Sequence, residues 1–87
     1  DIGPGGSLYT HAAKDAEGNA VSGEVMAYDT TGCILRVPEG KLAVVQGLKD
    51  YIVVQSEDAL LICPKADEQN IRRYVEEVRL KKGPGYV

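Results

Sequence analysis

The chain has 87 residues, a formal net charge of -3 and 44% hydrophobic residues, with five Tyr but no Phe or Trp. That length holds one domain at most and leaves it marginal alone, so pairing with another copy or docking on a larger body would help it. The acidic balance excludes broad attraction to nucleic acid, and no apolar run approaches the roughly 20 residues of a membrane-crossing helix. The core must be aliphatic, with Tyr at its margins.

Residues 1–19 are the least regular part. Gly3-Pro4-Gly5-Gly6 cannot hold a helix or a central strand, and Gly18-Asn19 signals a turn. From residue 20 the chain reads as strand after strand. Residues 20–28 alternate loosely, with Val21, Gly23, Val25 and Ala27 on one face. Short apolar runs follow at residues 33–37, 42–46, 51–55 and 59–63, separated by turn residues at Gly32, Gly40, Gly47, Asp50 and Asp58. Val44-Val45-Gln46 recurs nine positions later as Val53-Val54-Gln55. A nine-residue step is too short for strand-helix-strand units. It fits a meander or the flat faces of a short β-helix. Adjacent apolar residues in the later runs imply strands covered on both faces, or strands that curve.

From residue 66 the period changes. Ile71, Tyr74, Val75 and Val78 fall at i, i+3, i+4 and i+7, one face of an amphipathic helix over about 67–81. Asp67 is the expected N-cap, and Gly83-Pro84 the stop. This helix is expected to lay its apolar face over one end or side of the strands. The fold class is therefore mainly β: a β-helix-like or meandering strand layer over about 20–63 with one C-terminal α-helix.

Few residues suggest chemistry. Gly3-Pro4-Gly5-Gly6 lacks the flanking strand and the Gly-Lys-Ser/Thr of a phosphate-binding loop. His11 is the only histidine and has no spaced partners for zinc, so an exposed loop residue is expected. Cys33 and Cys63 lie in apolar runs, where a thiolate is disfavoured; both read as buried free thiols of a reducing, cytoplasmic compartment. Asp15, Glu17, Asp29, Asp50 and Asp58 sit in turns, where aspartates bond their own backbone. Arg72, Arg73, Arg79, Lys81 and Lys82 are interleaved with Glu76 and Glu77, which reads as a solvated face. No catalytic or cofactor-binding residue is assigned.

The order of segments says more. Asp1-Ile2-Gly3, Gly6-Ser7-Leu8-Tyr9, the run from Asp15 to Val25, Asp29-Thr30, the run from Leu42 to Val54, and the run from Asp58 to Lys65 form an ordered set. Together they resemble the C-terminal part of the mannose-1-phosphate guanylyltransferases. The resemblance covers nearly the whole chain. It implies a short β-helix-like domain after a nucleotidyltransferase domain, in an enzyme that joins mannose 1-phosphate to the GMP part of GTP, releasing pyrophosphate.

By that resemblance Asp1 stands where the family has a magnesium ligand, and Mg²⁺ is expected for the full-length enzyme only. Pro4 and Gly5 depart from the family pattern at this point, and the Gly-rich nucleotide loop is missing. The chain alone is expected to be inactive. Residues 1–19 would join it to a missing catalytic domain, and residues 20–87 would form the β-rich domain. The expected partners are its own catalytic domain and, in a homodimer, a second copy, with no nucleic acid and no membrane. Leu42, Val44, Val53, Leu60, Ile62, Ile71, Val75 and Val78 would carry that docking. A free-standing binding or oligomerisation module and a regulatory domain for a nucleotide sugar are the alternatives.

Overall fold

A computed structural model describes residues 13–86. Six strands come first: β1 (Ala20–Ser22), β2 (Glu24–Tyr28), β3 (Ile34–Arg36), β4 (Leu42–Gln46), β5 (Tyr51–Gln55) and β6 (Leu60–Pro64). A 3₁₀ turn (Lys65–Asn70), helix α1 (Ile71–Lys82) and a second 3₁₀ turn (Pro84–Tyr86) complete it.

The strands form a coil. One sheet has the order β1-β3-β5-β6 and the other the order β2-β4. β1, β3 and β5 pair in parallel, as do β2 and β4. The bridge between Thr31 and Lys49, also parallel, marks a third side. Glu24 pairs with Leu42, Thr31 with Lys49 and Ile34 with Ile52, each 18 positions on. Of the two arrangements open from sequence, the β-helix-like one is present. Among the described residues only β5 and β6 form an antiparallel hairpin.

The nine-residue echo is half of this coil. Nine positions carry the chain from one sheet to the other, so the two tripeptides never pair. Nine is also odd, and side chains alternate with period two, so the step reverses which side faces inward. Val53 is 6% exposed, whereas Val44 is 61% exposed.

Residues 20–28, read as one strand, are broken at Gly23. Its φ is +92°, and a Cβ there would lie 2.3 Å from the Val37 carbonyl oxygen. Only glycine allows that corner, which sends β1 and β2 into different sheets.

Two cores lie on opposite faces of the larger sheet. Cys33, Leu35 and Val53 point into the coil, where Val25, Val45, Leu48 and Tyr51 pack against them. Ala20, Ile34, Ile52 and Cys63 form the second, against which Val54 and Ile71 pack. Burial on both faces explains the doublets Ile34-Leu35 and Ile52-Val53. The same expectation fails for β4 and β6: Leu42 (58%), Val44 (61%), Leu60 (60%) and Ile62 (54%) are exposed. Among the described residues no rung of the second sheet follows β5.

The helix departs from expectation at its start. Asp67 does not cap it; the N-cap position is Asn70, with no side-chain cap hydrogen bond. Instead the Asp67 carboxylate accepts hydrogen bonds from Asn70 Nδ2 and Tyr74 Oη. These hold the 3₁₀ turn against the first turn of α1. Docking is also narrower than expected. Ile71 packs on the sheet, but no residue of α1 is buried, and Leu80 is 77% exposed.

Candidate functional site

The most polar buried feature is the corner that closes the first coil. Asp15 Oδ1 accepts from the backbone N–H groups of Glu17 (3.0 Å) and Asn19 (2.9 Å), the self-bonded turn aspartate that the sequence suggests. This positions Asn19, which is 2% exposed. Its Nδ2 donates to the Thr30 carbonyl at 2.8 Å, and its Oδ1 accepts from the Cys33 N–H at 2.9 Å. Thr30, 3% exposed, donates from Oγ1 to the Tyr28 carbonyl and accepts from the Leu48 N–H. Asn19 and Thr30 thus satisfy the backbone where the chain turns between sheets. The sequence marks Asn19 only as a turn residue and gives Thr30 no structural role, because a buried turn polar has the same local sequence as an exposed one. The hollow beside them is lined by Asp15, Glu17, Tyr28, Asp29 and Thr31 among others.

Both thiols are buried and free. Cys33 Sγ donates to the Thr31 carbonyl and accepts from the Tyr51 N–H, both at 3.4 Å, so it is a packing and turn residue. Burial, then the carboxylates of Asp67 and Glu68, push the Cys63 thiol up. Both effects oppose a nucleophilic thiolate. Asp67 itself is held below the usual carboxylate range by the Tyr74 and Asn70 hydrogen bonds, and Tyr74 is raised by the same contact.

The basic run on α1 is a solvated face. Arg79 pairs with Glu76 at 2.8 Å and Lys81 with Glu77 at 3.5 Å. Lys65 meets Asp50 at 3.6 Å and anchors the 3₁₀ turn to the corner before β5. Asp29 and Asp50 both have positive φ and shape turns. Among the described residues no three His, Cys, Asp or Glu side chains could hold a metal ion together. Asp1, Gly3-Pro4-Gly5-Gly6 and His11, and with them the magnesium position that the resemblance attaches to Asp1, lie outside the described residues. Among the described residues no helix is long and apolar enough to cross a membrane.

What the chain does present is apolar surface. By the register of β2 and β4, Glu24, Met26 and Tyr28 share the outward side with Leu42, Val44 and Gln46. Met26 stands directly opposite Val44. Met26 is 47% exposed and Tyr28 49%. Leu42 and Val44 were among the expected docking residues; Met26 and Tyr28 were not, because the loose alternation of residues 20–28 favours the Val21 face.

Comparison with known proteins matches this architecture. The chain is 36% identical over 78 residues to the alginate biosynthesis protein AlgA of Pseudomonas aeruginosa, covering 90% of the chain and 16% of that relative. It is 35% identical over 81 residues to the mannose-1-phosphate guanylyltransferase of Salmonella montevideo, covering 93% and 17%. The matched stretch is the C-terminal region of these relatives, so the chain spans about a sixth of their length. A crystal structure described as a mannose-1-phosphate geranyltransferase, from Thermus thermophilus, superimposes with a TM-score of 0.67 at 26% identity. The match covers 77% of this chain and 20% of that one. Residues 23–78, from the Gly23 corner to the second turn of α1, match the MannoseP isomerase/GMP-like beta-helix domain, and the chain belongs to that family.

Proposed function

We propose that this chain is the C-terminal scaffold of a mannose-1-phosphate guanylyltransferase, the enzyme class that converts GTP and mannose 1-phosphate to GDP-mannose and pyrophosphate. The observation that carries this reading is the coverage. More than nine-tenths of the chain aligns at 35% identity with the C-terminal region of the Salmonella montevideo enzyme, whose remaining length has no counterpart here. Among the described residues none is placed as a reacting group. The buried polar side chains there, Asn19 and Thr30, are both spent on backbone hydrogen bonds. The chain's thiols are buried, and Arg79 and Lys81 on α1 are paired with glutamates.

The role is mechanical: to brace the nucleotidyltransferase domain or to hold subunits together. Its compartment is the cytoplasm, in keeping with two free cysteines. The test of catalytic silence is incubation of the chain with GTP, mannose 1-phosphate and Mg²⁺ while pyrophosphate is measured. Release at the background rate is expected. Turnover that scales with chain concentration would overturn the reading.

A further inference from the structure

We propose that the outward face of β2 and β4, centred on Met26, Tyr28, Leu42 and Val44, is the surface that seats this domain on the nucleotidyltransferase domain of its own polypeptide. The proposal rests on the scaffold reading above and assigns its contact.

The coil has two broad sheets, and the chain treats their outer faces differently. The apolar centre of the outer face of the larger sheet is closed: Ala20, Ile34, Ile52 and Cys63 are at most 5% exposed, and Ile71 packs over them. The outer face of β2 and β4 is chemically similar, yet no described residue covers it. Four large apolar side chains stand there between 47% and 61% exposed. They are contiguous, since Met26 opposes Val44 and Leu42 and Tyr28 flank that pair within the same two strands. Glu24 and Gln46 supply a polar border at the two ends of the ladder. A contiguous apolar patch with a polar rim is the form a small contact surface takes.

The size of the face selects the occupant. Two paired five-residue strands span about 17 Å by about 10 Å at ordinary strand spacings. Even with long side chains this is well short of the roughly 800 Å² per partner of a stable complex between separate molecules. A face that small holds a partner best when a covalent link supplies a high effective concentration. In relatives such as the Salmonella montevideo enzyme, the matched region is C-terminal and about five-sixths of the polypeptide lies outside it. The tethered domain, rather than a second copy, is therefore the occupant.

The experiment replaces the C-terminal region of the Salmonella montevideo enzyme with this chain and follows thermal unfolding of the chimera. The comparison is the same chimera carrying Met26→Lys with Val44→Glu. Opposite charges at directly opposed positions keep the ladder attractive while making the face polar. The parent chimera is expected to unfold in one transition and the double variant in two, with the variant's linker cut faster by a protease. In the 87-residue chain alone the same pair of substitutions should leave the melting temperature within about 3 °C of the parent, since surface changes away from packed groups cost little.

If both chimeras unfold in one coincident transition, the domain docks through another face; this inference falls and the scaffold reading stands. If both unfold in two, the domain does not brace the catalytic part, and both fall. If the variant lowers the melting temperature of the isolated chain by more than about 10 °C, the face is covered within the chain itself. If light scattering shows a dimer of the isolated chain that the variant dissolves, the occupant is a second copy. Either result overturns the proposal.

Discussion

Asn19 is the position where one side chain decides whether the coil closes. Replacing it with Leu keeps the same branching and number of side-chain heavy atoms and removes both polar atoms. The Thr30 carbonyl and the Cys33 N–H, each bonded to Asn19 in a corner where Asn19 is 2% exposed, then lose their partners. A buried polar group left unpaired costs about 1–3 kcal/mol, and Leu fills the space that water would need. Two such groups give a loss of about 2–6 kcal/mol. A domain of this size has on the order of 4–13 kcal/mol in total. The variant should therefore lose a large part of its stability, or about 4–8 °C of melting temperature for each kcal/mol. Urea unfolding followed by circular dichroism measures this. The control is Gln46→Leu, which removes an exposed 3.4 Å contact to Asp29 and should cost under about 0.5 kcal/mol. A loss below about 1 kcal/mol for Asn19→Leu, or equal losses for the two variants, would refute the reasoning about the corner.

Other outcomes follow from the same geometry. Gly23→Ala should cost about 2–5 kcal/mol by urea titration, from positive φ and a Cβ 2.3 Å from the Val37 oxygen. Gly40→Ala, with positive φ but open space, should cost only about 1–2 kcal/mol. Ile71→Ala should destabilise measurably because Ile71 packs on the second core, whereas Leu80→Ala, at 77% exposure, should stay within about 0.5 kcal/mol. Asp67 has its carboxyl lowered by Tyr74 and Asn70, so its stabilising effect is present above the ordinary value of 3.8 and fades as pH falls through the depressed one. Helical signal at 222 nm should thus drop in acid, and Asp67→Asn should flatten that part of the profile. Cys63 is raised, so its contribution is complete below the ordinary value of 9.0 and is lost as pH rises beyond it. A stability profile that climbs above pH 9.0 in the parent relative to Cys63→Ala would contradict this sign.

Much of the fold was legible because its turns are chemically marked. Gly32, Gly40, Gly47, Asp29 and Asp50 all take positive φ, and the strands β4 and β5 lie where those marks put them. The helix was legible from the period of Ile71, Tyr74, Val75 and Val78, although Asp67 serves the side chains of Asn70 and Tyr74 instead of the backbone. What stayed hidden depends on the closure of the coil. The 18-residue register is masked by a nine-residue echo whose two halves occupy different sheets and opposite sides. Asn19 and Thr30 were hidden for a similar reason: their burial arises only when a second rung stacks beside them. The apolar face of β2 and β4 was half visible, through Leu42 and Val44. The pairing that adds Met26 and Tyr28 is a property of the closed coil.

The most direct test of a supporting domain without chemistry of its own is functional replacement. The Salmonella montevideo enzyme shortened by its matched C-terminal region is compared with the same enzyme carrying this chain instead, at equal concentration, with pyrophosphate release from GTP and mannose 1-phosphate as the signal. The account predicts that the chimera regains activity or heat tolerance that the shortened enzyme lacks. A chimera no more active and no more heat-tolerant than the shortened enzyme would contradict it.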